Sequence, residues 1–238
     1  MTNNLHLSKH ISKRYNDELA EVRRLIEQMG LLVIEQVKDG ITALINVDVA
    51  LSKQVIRNDE KVNALEIKID ESCTHILATR QPAASDLRLI VSVIKTITHI
   101  ERIGDKAKKL GKTSVKIAKS KKSERKFKEL KHLGEMVVKN LTRAMEALSS
   151  FNVDLAIEVI EKDTEINEEY DNISRMLLTK MMEDPREIKV SLRILHSARA
   201  LETIGDNAKN ISEYILFLVE GKDIRHTSVD KIKDQIIG

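Results

Sequence analysis

One stretch of the chain reads Ile97-Thr-His-Ile-Glu-Arg-Ile-Gly-Asp-Lys-Ala-Lys-Lys-Leu110, and a second reads Ala198-Arg-Ala-Leu-Glu-Thr-Ile-Gly-Asp-Asn-Ala-Lys-Asn-Ile211. In both stretches the apolar residues follow the period of an α-helix that is buried along one stripe. Two carboxylates in each stretch are four residues apart, so they share one face of the helix, at the edge of that stripe. They are Glu101 and Asp105 in the first stretch, and Glu202 and Asp206 in the second.

The repetition extends over most of the chain. Asp59 and Asn63, for example, recur 104 positions later as Asp163 and Asn167. An internal duplication of this length predicts two homologous structural units. Each unit holds three long amphipathic segments joined by short connections, which predicts antiparallel neighbours in a bundle. We therefore expect an all-α fold of two tandem homologous antiparallel three-helix bundles.

The expected boundaries follow the breaks in these patterns. A loose N-terminal arm is expected over residues 1–12, a first unit over 13–120, a second unit over 121–222 and a C-terminal tail over 223–238. Helices are predicted over 17–46, 49–78, 125–150, 153–182 and 187–220, with a further helix that starts at a cap on Ser85 or Asp86 and ends near 118. Only 8 Gly and 2 Pro interrupt the 238 residues, which agrees with long helices.

Composition narrows the function classes. The net charge of +3 gives no global field that attracts a polyanion. Cys73 is the only cysteine, so an intrachain disulfide is excluded, which is typical of a cytoplasmic protein. The chain has no P-loop and no nucleophile elbow, so no motif in it suggests catalysis.

The paired carboxylates have two interpretations. Acidic pairs on solvated helix faces are common, and ion pairs with the nearby Lys108 and Lys209 would also satisfy them. However, like charges four residues apart destabilise a helix, and carboxylates beside an apolar stripe lose solvation. Because the placement occurs twice, we favour a shared purpose: a hard divalent or trivalent cation held by oxygen ligands.

The second predicted helix of each unit carries a further polar row. In the first unit the row is Asp59, Asn63, Glu66 and Asp70; in the second it is Asp163, Asn167, Tyr170 and Ser174. If the second and third helices pack side by side, these rows meet the carboxylate pairs. The second row has less charge, so a cation there should bind more weakly. The alternative interpretation is a hydrated seam without a cation.

The junction between the units is strongly basic. Residues 106–128 hold eleven Lys or Arg and one acid, Glu124. Such a run is usually a solvated helix end and linker. It also suits docking to an acidic protein, nucleic acid or anionic lipid, although no helix-turn-helix, aromatic or zinc pattern supports nucleic acid.

The repeated pentapeptides at 101–105 and 202–206, together with Arg80-Gln-Pro-Ala-Ala-Ser-Asp-Leu-Arg88, resemble the PhoU family. Leu7-Ser-Lys-His-Ile11 and Gly221-Lys-Asp-Ile-Arg-His226 extend this resemblance over essentially the whole chain. PhoU proteins are accessory and regulatory proteins of the phosphate-specific ABC transporter. The resemblance implies two homologous three-helix bundles in a cytoplasmic, often dimeric protein that is not an enzyme.

The resemblance also implies partners. The chain would associate peripherally with membrane complexes, couple the ATPase of the phosphate ABC transporter to a phosphate-sensing histidine kinase, repress the phosphate-starvation (Pho) regulon and limit phosphate uptake. Nucleic acid is not an expected partner. The alternatives are a metal-binding helical bundle without this role, or a nucleic-acid-binding protein that uses the basic run.

The resemblance further implies metal ligands. Some family members bind magnesium, manganese, zinc or iron at the repeated motif. The matching positions here are Glu101, Asp105, Glu202, Asp206, Asp59 and Asp163. This sequence has Asn63 and Asn167 where the family often has Asp, which removes one charge from each predicted site.

Overall fold

The structure is a computed structural model that describes residues 13–82, 84–119 and 127–221. These residues form six long α-helices and one short 3₁₀ helix, and they contain no β-strand. The helices are α1 (Lys13–Asn46), α2 (Val49–Arg80), α3 (Ala84–Ala118), α4 (Glu129–Ser150), α5 (Val153–Glu183) and α6 (Ile188–Glu220). The all-α prediction is confirmed. The predicted arm, the predicted tail and much of the basic junction lie outside the described residues.

The duplicated sequence folds into duplicated local structure. Asp48 and Asn152 cap α2 and α5, and each side chain accepts a hydrogen bond from the backbone N–H three residues later. Gly221 ends α6 in a left-handed conformation with φ of 71°, as predicted. Each unit is therefore a bundle of three helices joined by short turns.

Several boundaries differ from the prediction. The helix α1 begins at Lys13 rather than at residue 17, and α4 begins at Glu129 rather than at residue 125. The helix α3 begins at Ala84, so Ser85 and Asp86 lie in its first turn rather than at its cap. A 3₁₀ helix, Pro185–Glu187, precedes α6. It forms because the proline starts a turn and the Asp184 carboxylate accepts a hydrogen bond from the backbone N–H of Arg186.

The two units pack against each other through α1 with α4 and α3 with α6, so they share one continuous apolar core. Equivalent glycines mark the α1–α4 contact. A Cβ on Gly30 would lie 2.8 Å from Met145 Sδ, and a Cβ on Gly134 would lie 2.9 Å from Ile41 Cγ2. The two contacts are related by the duplication. The helices α2 and α5 lie on the outside, each against its own unit.

The glycine of each repeated pentapeptide allows close packing between the second and third helices of its unit. A Cβ on Gly104 would lie 3.3 Å from Val62 Cγ1, and a Cβ on Gly205 would lie 3.2 Å from Ile166 Cγ2. A larger residue at either position would force these two helices apart. The close packing also holds the carboxylates that flank each glycine against α2 or α5. Over the described part of the chain, no helix is both long and apolar enough to cross a membrane.

Candidate functional site

In unit one, the polar row of α2 and the carboxylates of α3 meet along what we call the unit-one seam (Asp59, Asn63, Glu101, Asp105 and Lys108). Asp59 is buried, with 2% of its side chain exposed, and its Oδ2 lies 2.5 Å from Lys108 Nζ. The same ammonium lies 3.7 Å from Asp105 Oδ1. The pKa of Lys108 is raised, chiefly by the hydrogen bond to Asp59. Lysine thus neutralises the buried carboxylate in this arrangement.

Glu101 is half-buried at the centre of the unit-one seam. Burial raises its pKa above the ordinary 4.5, and the charges of Asp105, Glu66 and Asp59 raise it further. Lys108 lies within ion-pair distance of both Asp59 on α2 and Asp105 on α3, so the second and third helices bring these acids together. Asp105 differs from the expectation of a buried or half-buried pair, because 55% of its side chain is exposed.

Several oxygens in the unit-one seam are buried without a hydrogen-bond partner. They are Asp59 Oδ1 and Asn63 Oδ1, one helical turn apart on α2, and Gln36 Oε1 on α1. The Gln36 amide donates to the backbone carbonyl of Val55, which fixes its orientation. Buried polar atoms are normally paired, so these three unpaired acceptors require water, a proton or a cation.

The duplication places the same groups in what we call the unit-two seam (Asp163, Asn167, Glu202, Asp206 and Lys209). Asp163 has 2% of its side chain exposed, and its Oδ2 lies 3.6 Å from Lys209 Nζ. It also accepts a hydrogen bond from the Asn167 amide at 3.2 Å. Burial raises the pKa of Asp163 more than Lys209 lowers it. Asp163 Oδ1 and Asn167 Oδ1 are again buried and unpaired.

Glu202 is the second buried acid of the unit-two seam. Its Oε1 accepts a hydrogen bond from Arg199 at 2.5 Å. Burial is the main cause that raises its pKa, followed by the charge of Asp206. Arg199 also lies over the Tyr170 ring, 5.5 Å from its centroid. Arg199 is therefore a second cation beside the carboxylates of unit two, in addition to Lys209. Weaker binding of a metal ion in unit two stays a prediction.

The donor set of both seams is oxygen only. In the parts of the chain that the structure describes, no group of three or more His, Cys, Asp or Glu side chains has the arrangement of a metal site. Yet each seam pairs an aspartate with an asparagine one turn away, both with a buried, unpaired oxygen. These residues fit a hard cation that keeps several waters, such as magnesium or manganese. Metal binding at the six predicted acids stays a prediction.

Two buried amides were missed at the level of sequence. Gln36 and Asn140 occupy equivalent positions, and each donates to a helix carbonyl, that of Val55 or Val159. Both leave their amide oxygen unpaired. A polar residue on the apolar face of the first helix in both units was the signal that could have found them.

Cys73 and His99 lie away from both seams. Cys73 is fully buried in the core. The ring of His99 is half-buried and its Nδ1 lies 2.8 Å from Asn207 Oδ1, across the contact between α3 and α6.

Comparison with known proteins places this arrangement in a family. The sequence pattern of the PhoU domain matches twice, over residues 26–113 and 130–215, which are the two bundles. The chain belongs to the PhoU family. Each match covers the acids of one seam, so the duplicated seams are part of the duplicated PhoU domain.

Full-length relatives agree with this assignment. The chain is 44% identical to the phosphate-specific transport system accessory protein PhoU homolog of Pseudomonas putida, over 100% of this chain and 93% of the relative. It is 40% identical to the accessory protein PhoU of Escherichia coli (strain K12), over 98% of this chain and 97% of the relative. The crystal structure of PhoU from Pseudomonas aeruginosa superposes with a TM-score of 0.84 at 44% identity, covering 87% of this chain and 100% of that one. These PhoU proteins are named accessory proteins, which agrees with the expectation that the chain is not an enzyme.

Proposed function

We propose that this chain is an accessory regulator of phosphate transport. It would act in the cytoplasm as a negative regulator of the phosphate-starvation regulon and limit phosphate uptake. In this role it would couple the ATPase of a phosphate ABC transporter to a phosphate-sensing histidine kinase. The observation that carries this proposal is the match of both bundles to the PhoU domain, with relatives of the same name over nearly their whole length.

The surface supports binding to other proteins. Along the outer face of α3, Lys109, Lys112 and Lys116 are exposed. Within the described chain, none of these three has a carboxylate within ion-pair distance, so their charge is available to an acidic surface. The equivalent positions of α6 are Asn210, Glu213 and Phe217, so the basic face belongs to unit one alone. A chain with two similar bundles and one basic face can bind two different partners.

A pull-down from membranes tests the proposed coupling. The tagged chain should retain the transporter ATPase and the kinase from detergent-solubilised membranes of phosphate-replete cells. A triple variant, with Lys109, Lys112 and Lys116 changed to Gln, should lose at least one partner, whereas Lys53→Gln on α2 should lose neither. If the wild-type chain retains neither protein, the coupling is refuted. Homodimerisation, which the family resemblance implies, stays a prediction.

We further propose that each seam binds a divalent cation, magnesium or manganese, as a part of this regulatory role. The buried, unpaired oxygens on the aspartate and asparagine of each seam support this proposal. A bound cation would replace the lysine as the charge that neutralises the buried carboxylate. The displaced lysine could then move into solvent, because 27% of the Lys108 side chain is already exposed.

A variant with one added carboxylate distinguishes between a cation site and a hydrated seam without a cation. Asn63→Asp places a second charge beside Asp59, so it should lower the stability of the metal-free chain and strengthen manganese binding. Asn58→Asp adds the same charge elsewhere on α2 and should change neither. The measurements are manganese titration by calorimetry and urea unfolding in EDTA. If Asn63→Asp lowers stability without strengthening manganese binding, the seam is hydrated and holds no cation.

A further inference from the structure

A cavity of about 460 Å³ lies where α1 and α3 of unit one meet α4 and α6 of unit two. We call it the inter-unit cavity. Its wall is mostly apolar and includes Ile26, Leu89, Val93, Leu148 and Ile215. A cavity of this size with an apolar wall and a few polar groups is typical of small-molecule sites. No residue of either seam lines it, so it is separate from the proposed cation sites.

One cation in this wall forms no ion pair within the described residues, although the nearby charge of Glu27 raises its pKa against the larger effect of burial. Arg23 lines the cavity, and its guanidinium carbon lies 4.7 Å from the centroid of the Phe151 ring. One terminal nitrogen, Nη2, is buried without a hydrogen-bond partner. Glu27, one turn further on α1, forms no ion pair with it among the described residues. A partly buried guanidinium is costly unless an anion pairs with it.

The duplicated fold does not require this arginine. The equivalent position in unit two is Phe127, which is 2% exposed and belongs to the apolar core. Phe127 lies ahead of α4 and is apolar, so the duplicated sequence supplies no counterpart of the Arg23 charge. Two hydroxyls of the same wall, Ser92 Oγ and Thr96 Oγ1, are also buried without a hydrogen-bond partner.

We propose that the inter-unit cavity binds a small amphiphile with one anionic head and an unbranched apolar body. The head, a carboxylate or a phosphate monoester, pairs with Arg23, since a guanidinium binds either group through two hydrogen bonds. The body packs on the apolar wall. Two acids also line the cavity, Glu27 and Glu146, but both are exposed, where solvent screens their repulsion of an anion.

An anionic amphiphile accounts for both the apolar wall and the unpaired guanidinium of the inter-unit cavity. A free inorganic anion would pair with Arg23 but would leave the apolar wall unused. A neutral apolar molecule would fill the wall but would leave the guanidinium unpaired. The cavity is bounded by helices of both units, so a bound amphiphile would also add contacts between them and stabilise their packing.

Calorimetric titration of the full chain with dodecanoate, below its micelle concentration, tests this proposal. We expect saturable binding with one molecule per chain. Dodecanol should bind at least about tenfold more weakly, because it lacks the charge-assisted hydrogen bonds. Inorganic phosphate should compete only weakly, because it can pair with Arg23 but leaves the apolar wall unused. A parallel titration with dodecyl phosphate shows whether a carboxylate or a phosphate ester is the preferred head.

Two variants locate the binding. Arg23→Gln should weaken dodecanoate binding about tenfold or more, whereas Arg24→Gln, which removes the same charge from an exposed arginine paired with Glu21, should not. Ser149→Trp at the exposed edge of the cavity should block binding without disturbing the core. The absence of saturable binding, equal affinities of the two arginine variants, or binding that survives Ser149→Trp would each overturn the proposal.

Discussion

The Lys108–Asp59 pair offers the sharpest test of the seam chemistry. Lys108→Met removes the ammonium and leaves the Asp59 carboxylate in the interior with one oxygen already unpaired. Breaking a buried ion pair on one side costs about 3–5 kcal/mol. Because 27% of the Lys108 side chain is exposed, solvent replaces part of the interaction, and we expect a loss of about 3 kcal/mol.

The equivalent change in unit two should cost less. Lys209 Nζ lies 3.6 Å from the Asp163 carboxylate and 37% of its side chain is exposed. Asn167 remains as a second donor to the same oxygen. Lys209→Met should therefore cost about 1 kcal/mol, close to the value of a surface pair. An exposed neighbour, Lys109→Met, serves as the control and should cost less than about 0.5 kcal/mol.

Urea unfolding followed by circular dichroism measures all three changes, first in EDTA and then with magnesium. If the unit-one seam binds a cation, magnesium should restore part of the stability that Lys108→Met loses, because a second positive charge replaces the ammonium. Equal losses for Lys108→Met and Lys209→Met would refute the view that the two seams differ. A loss below about 0.5 kcal/mol for Lys108→Met would refute the account of Asp59 as a buried charge.

Three further outcomes are expected. Because the pKa of Glu101 is raised in the folded chain, its favourable contribution to stability is present below pH 4.5 and is lost as the pH rises through the raised pKa. Glu101→Gln should therefore stabilise the metal-free chain at pH 7 by less than about 1 kcal/mol and have no effect near pH 4. Unfolding curves at both pH values check this. Gly30→Ala should raise the melting temperature, since alanine improves helix propensity by up to about 1 kcal/mol and the flexible Met145 side chain opposite it can move. Gly134→Ala should lower the melting temperature, since the side chain opposite it, the β-branched Ile41, cannot move aside. Asp105→Asn should remove more bound manganese than Asp206→Asn, measured by elemental analysis after gel filtration, and equal metal content in both variants would contradict the predicted order.

The duplication explains why so much of the fold could be predicted from the sequence. Each helical pattern occurs once in each unit, so every helix was indicated twice. The glycine on the apolar face of the third helix in each unit, Gly104 or Gly205, indicated close packing there. Local signals at the amino end of α3 were weaker. Ser85 and Asp86 are both acceptable caps, and nothing in the sequence separates a cap from the first turn of a helix.

The candidate site was predicted less completely, because it depends on side-chain partners from three helices. Helical spacing placed Glu101 and Asp105 on one face, but it could not show that Asp105 is largely exposed. The sequence did predict that an ion pair with Lys108 would compete with a cation for the acids. That Lys108 pairs with the buried Asp59 depends on the register between α2 and α3, which the sequence does not show. Gln36 reaches the seam from α1, and no pattern within one helix contains that contact.

The inter-unit cavity could not be predicted at all. It depends on how α1 and α3 pack against α4 and α6, and a single chain pattern does not specify packing between units. The sequence did contain one relevant difference: Arg23 stands where the duplicated position has Phe127. Departures from an internal repeat are therefore as informative as the repeat itself.

We propose that this chain represses phosphate-starvation genes when phosphate is plentiful. The most direct measurement is a starvation-gene reporter in phosphate-rich medium, in a strain that lacks the chain but keeps the transporter and the kinase. We expect the reporter to be active in that strain and to become silent when the wild-type chain is restored on a plasmid. A reporter that stays silent in the deletion strain would contradict the claim.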